Sequence, residues 1–175
     1  SIFNDNISVN ITTGFTSLAS GVLGQASSTT LNTTFGSAKN ALIADKTNTD
    51  DDTMVAGLPS GIVYSRLING TAQGAEDHLQ SNISAMSLTN ANAKAIGLLG
   101  ANNANEDAAI TFSNQFAWDS DRSDGIGFGQ DDFVGVDIHE IGHAMGFVSG
   151  VDSLDFSVSN NPGVFQDSQF DIFTS

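Results

Sequence analysis

Residues 136–152, "VDIHEIGHAMGFVSGVD", hold two of the chain's three histidines, His139 and His143, and one of its three glutamates, Glu140. Asp131 or Asp132 can cap a helix over residues 133 to about 146, because a short carboxylate accepts from the free N–H groups of a first helical turn. On such a helix, residues four apart share a face, so both imidazoles can reach one ion. Glu140, the next residue after His139, stands where it can hold a metal-bound water. At about 100° per residue, Val134, Ile138, Ile141 and Met145 fall within a sector of about 60°, the expected buried stripe. The imidazoles lie on nearly the opposite side of that stripe. Neutral imidazole suits Zn2+, and the chain has no cysteine to offer a thiolate, so zinc is the expected metal. The bland alternative is a helix that reads H-E-x-x-H by accident; with three histidines in 175 residues, it is the weaker reading.

Composition sets the frame around this helix. A chain of 175 residues and 18.2 kDa fits one domain, 1–175, with a core of real size. The net charge of −15 repels nucleic acid and anionic membranes, so neither is an expected partner. Without cysteine there is no disulfide frame. No apolar run approaches the roughly 18 residues that span a bilayer, and no basic-then-apolar leader is present, so a mature secreted protein is expected. Scarce lysine with abundant Asp, Asn, Ser and Thr is associated with secreted bacterial proteins.

Upstream of the motif the pattern is mixed. "NISVNIT" (6–12) alternates Ile7, Val9 and Ile11 with polar residues, as a half-buried strand does. The Gly- and Ser-rich stretch 13–28 reads as a loop or loose hairpin. Leu31, Phe35, Ala38 and Leu42 recur on one face of a helix of about four turns starting near Thr29. "TNTDDDTMVAGLP" (47–59) suggests a short helix capped at Thr49 and stopped by Pro59. "GIVYSRLI" (61–68) reads as a strand, and residues 69–86 are ambiguous. "LTNANAKAIGLLG" (88–100) predicts a helix capped by Thr89 and closed by Gly100, and a strand follows around Ile110 and Phe112. The expected fold is therefore mixed α/β, in the α+β sense, with no repeats and no clear linker.

"HEIGHAMGF" (139–147) resembles the active-site helix of zincin metalloproteases. Gly146, three residues after His143, resembles the metzincin branch, whose pattern is H-E-x-x-H-x-x-G-x-x-H/D. "DDDTMVAGLP", the stretch 110–152 and "FDIF" are similar to a family of secreted, metzincin-like bacterial metalloproteases found with PEP-CTERM sorting signals. The resemblance covers most of the chain from about residue 30 onward. It implies a zincin-like fold, a twisted mixed sheet with an active-site helix carrying H-E-x-x-H, and a third zinc ligand after the helix. The metzincin ligand position falls on Ser149, a poor ligand, and no glutamate follows Glu140. Asp152 is favoured because its tether is shortest; Asp155, Asp167, Asp171 and His78 remain open. Asp152 is otherwise a turn-forming or calcium-binding aspartate, and His78 a surface histidine. The methionine turn of metzincins has no counterpart, since the methionines stand at 54, 86 and 145, so a short or missing C-terminal subdomain is expected.

The expected function is that of a secreted zinc endopeptidase acting on protein or peptide. Zinc on His139, His143 and Asp152 keeps a position open for water, and Glu140 serves as general base and then proton donor to the leaving amine. "AAITFSN" (108–114) is expected, by family analogy, to offer an edge to extended peptide. "DSDRSDG" (119–125) suggests a second cation, Ca2+, against the plainer reading of a solvated acidic turn. Two alternatives stand beside the protease. One is an extracellular surface or filament-forming protein that keeps a zincin scaffold, self-associating as a homo-oligomer. The other is a zinc hydrolase of another bond, such as an amidase.

Overall fold

In the computed structural model, which describes residues 5–68 and 78–148, the chain is a mixed α/β fold built on two packed centres. The strands are β1 (Ile11–Thr16), β2 (Gly24–Ser28), β3 (Thr30–Thr34), β4 (Tyr64–Ile68), β5 (His78–Ile83), β6 (Ala85–Thr89), β7 (Ala108–Ser113), β8 (Trp118–Asp119) and β9 (Asp131–Asp132). The helices are α1 (Phe35–Asp45), α2 (Thr49–Ala56), α3 (Asn90–Ala95) and α4 (Phe133–Ala144). No helix among the described residues is long and apolar enough to cross a membrane.

The sheet that carries the motif helix has the order β1-β7-β2. β7 runs parallel to β1, with Ile11 opposite Ala108, and antiparallel to β2, with Gly24 opposite Phe112. Ala108, Ile110 and Phe112 are buried along one face of β7, as a strand with period two requires. α4 lies on that face. Phe112 and Phe133 meet with ring centroids 4.8 Å apart, and Trp118 stands edge-on to Phe133 at 5.5 Å. The Trp118 indole N–H donates to the Ser113 carbonyl at 2.9 Å, so the half-buried ring leaves no polar group unmet.

The second centre gathers Phe35, Ala38, Leu58, Tyr64, Met86, Leu88 and Ala93. It is built on the antiparallel pair β3–β6 with α1 and α3 packed beside it. Phe35 and Tyr64 touch at 5.2 Å between ring centroids. Truncating a fully buried Phe typically costs about 3–5 kcal/mol, so Phe35 is a principal anchor of this half.

A buried ion pair joins the two centres. Lys94 of α3 and Asp107, just before β7, are 2.6 Å apart with neither side chain exposed. The Lys94 ammonium also donates to the carbonyls of Ser8 and Asn103, each at 2.9 Å, so all three of its hydrogens are used. The Asn10 N–H donates to the same Asp107 oxygen at 2.7 Å.

Several local expectations shift. The first strand begins at Ile11 and not at Asn6, because pairing with β7 starts there; Asn10 is held by Asp107 instead. Residues 24–28 form a strand although they offer almost no apolar side chain. The stretch from Thr30 to Thr34 is strand β3 and the helix starts only at Phe35, with Thr34 as its cap. Three threonines in five residues favour extended backbone, and β6 is there to pair with them. α2 starts at Thr49, one residue earlier than a cap there would place it, and its cap is Asn48, in a reciprocal box with Asp51. α3 is capped by Thr89 and ends at Ala95, earlier than Gly100, because Gly97 turns the chain at φ +75°.

Candidate metal centre

α4 forms as expected: the Asp132 carboxylate accepts from the Gly135 N–H at 3.0 Å and is itself held by Arg122 at 2.9 Å. Its buried face differs from the expected one. Ile138 is 59% exposed and Ile141 38%, whereas Glu140 and Ala144 are buried and Phe133 and Val136 pack on the β7 core. The aromatic contact of Phe133 with Phe112 and the small Ala144 set the rotation of the helix. Glu140 therefore lies on the packed face and the two histidines border it.

His139 and His143 come together. Their Nε2 atoms are 3.0 Å apart and the rings meet edge-on at 87°. The His143 Nδ1–H donates to the Phe147 carbonyl at 2.8 Å, which turns the Nε2 lone pair toward His139. The Phe147 carbonyl reaches that place because the chain reverses at Gly146, whose φ is +101°. Two nitrogens bound to one tetrahedral zinc at about 2.0–2.1 Å stand roughly 3.3 Å apart, so this pair fits such an ion with small ring adjustments.

Glu140 does not join the imidazoles. Its side chain is 5% exposed and turns toward β2, where Gly24 leaves room for it. An open cleft of about 440 Å3 runs between residues 21–24 on one side and Gly135, Val136, His139 and Glu140 on the other. A basic group on one wall and an imidazole that can hold a metal beside it is an arrangement able to deprotonate water close to a Lewis acid. The Ser28 hydroxyl ties β2 to α4 by donating to the His143 carbonyl at 3.2 Å.

Among the described residues no group of three His, Cys, Asp or Glu side chains converges on one point. Asp152, the favoured third ligand, and Ser149, Asp155, Asp167 and Asp171 lie outside the described residues, as does the side chain of His78, whose backbone opens β5 opposite Ile68.

The acidic loop after β8 uses its carboxylates on its own backbone. Asp119 accepts from the N–H groups of Asp121, at 2.9 Å, and Gly127, at 2.8 Å. Asp121 accepts from Ser123, whose hydroxyl and backbone N–H hold its carboxyl below the ordinary carboxylate value. β7, expected as an edge strand, is the middle strand, hydrogen-bonded on both sides. The strand beside the cleft is β2, and nothing in its Gly, Gln, Ala, Ser and Ser residues announced it except a small residue at every second place.

No protein family, no curated protein and no solved structure matches this chain.

Proposed function

We propose that the chain is a secreted, zinc-dependent endopeptidase with a zincin-like fold of the metzincin type. The observation that carries this reading is the pairing of two imidazole Nε2 atoms 3.0 Å apart with a buried glutamate on the wall of the adjoining cleft. His139 and His143 would hold the metal, with Asp152 as the third donor. When bound, zinc supplies Lewis acidity at the scissile carbonyl and acidifies the attacking water.

The remaining work falls to the chain itself. The Phe147 carbonyl keeps His143 in the Nδ1–H tautomer, so that Nε2 is free to bind. Glu140, on the same wall of the cleft as His139, takes a proton from water and delivers it to the leaving amine. An extended peptide can pair along β2, whose second edge carries no strand among the described residues. Secretion accords with the acidic, Asn- and Thr-rich composition.

Metal analysis and cleavage assays on the purified chain test this. About one zinc per chain is expected, lost in His139→Ala. Cleavage of casein or a mixed peptide library is expected to fall at least about a hundredfold in Glu140→Gln, with zinc and fold kept. Zinc without cleavage, together with ordered polymers, would replace the protease reading with that of a scaffold protein.

A further inference from the structure

We infer that Gly24 is a positioning residue for the Glu140 carboxylate, an inference that rests on the hydrolase reading. Glu140 is nearly buried, and no hydrogen-bond donor holds its carboxylate among the described residues. Nor does a cation. Lys39 donates to three carbonyls, from Pro59 to Gly61, Lys46 pairs with Asp52, and Arg66 binds Gln80. Lys94 is bound to Asp107 and Arg122 to Asp132, which accounts for all five cationic side chains of the chain. The place of the carboxylate is therefore set by shape.

The shape comes from β2. A β-carbon on Gly24 would stand 3.0 Å from Glu140 Oε1, 3.1 Å from Glu140 Cγ and 3.0 Å from Val136 Cγ1. Ordinary contact between such atoms is about 3.5–4.0 Å, so any side chain here pushes the acid or the helix away. The backbone does not ask for glycine, since Gly24 has no positive φ. The next two residues on the same side of β2 are Ala26, packed on the β7 core, and Ser28, bonded to the His143 carbonyl. The side chains of β2 that face α4 are thus all small, and the one opposite the acid is missing altogether. A strand that comes this close to the carboxylate limits where it can stand beside the cleft, and displacements beyond about 0.5 Å at such a group change turnover.

The test compares wild type, Gly24→Ala, Val136→Ala and the double variant as the zinc-loaded full chain. Gly24→Ala is expected to lower kcat about tenfold, with KM and zinc affinity within about twofold of wild type. The double variant is expected to stay about as low relative to Val136→Ala, because the contact with Glu140 Oε1 persists. Crystal structures of wild type and Gly24→Ala should show the carboxylate displaced, while the two imidazoles stay in place. The inference is overturned if kcat is unchanged, if zinc affinity falls in step with kcat, if removing the Val136 methyls restores full turnover, or if the carboxylate has not moved. Should the zinc-loaded wild type cleave no peptide, the hydrolase reading fails, and the two crystal structures still decide whether Gly24 places Glu140.

Discussion

The side-chain amide of Asn92, on α3, occupies the space that a β-carbon on Gly146 would need: its Cγ lies 2.6 Å and its Oδ1 2.7 Å from that point. Gly146 is also held at φ +101°, where other residues are strained. Gly146→Ala therefore meets two obstacles at once, one in the backbone and one in the neighbouring helix. It is expected to lower unfolding free energy by at least about 1 kcal/mol. Because Gly146 brings the Phe147 carbonyl to His143, zinc affinity should fall about tenfold or more. Denaturant unfolding and competition with a metal indicator measure the two effects separately.

Zinc should stabilise the folded chain. At about a hundredfold excess over Kd the linkage amounts to about 2.7 kcal/mol, visible as a rise in Tm that a chelator reverses. In His143→Ala the rise should disappear. A rise that survives this substitution would place the metal elsewhere.

Lys94 and Asp107 answer a different question, because they lie outside the cleft. Lys94→Met leaves a carboxylate buried without its cation and should destabilise by about 3–5 kcal/mol. Lys94→Met combined with Asp107→Leu should be less harmful than the sum of the two single changes. Chemical denaturation of the four proteins completes the cycle.

Asp51 predicts a local pH response. Its carboxylate accepts from the Thr47 N–H at 2.8 Å and the Asn48 N–H at 3.1 Å, and these bonds, Thr47 first, hold it below its ordinary value of 3.8. A carboxyl with a lowered folded value stabilises above the unfolded value, and that contribution is lost as pH falls through the folded one. The protection of the Thr47 and Asn48 amides, taken as the ratio of intrinsic to observed exchange rate, should fall as the solution is taken below about pH 4, and in Asp51→Ala it should be low already at neutral pH.

Residues with strong local signals were legible in the sequence. Asp132, Thr89 and the acidic start of α2 mark their helices, because a cap is a contact with the next turn and needs no distant partner. Ile110 and Phe112 mark β7 by alternation. β2 and β3 were hidden because Gly24, Ala26, Thr30 and Thr33 owe their extended state to partners far along the chain. The rotation of α4 was misread for a related reason. Ile138 and Ile141 are the more apolar pair, but Phe133 and Ala144 fit the sheet, and fit decided. His139 and His143 were legible as a pair from spacing alone; the turn of Glu140 toward Gly24 was not, since it depends on a strand more than a hundred residues earlier.

The insertion of β7 between β1 and β2 has a consequence for biogenesis. The two outer strands are close in sequence yet do not bond to each other, and the strand that joins them is translated about ninety residues later. An emerging chain must keep these neighbours apart until Ser113 has left the ribosome. α4 and its histidines follow immediately behind, so the sheet and the helix that docks on it become available for assembly in one late step.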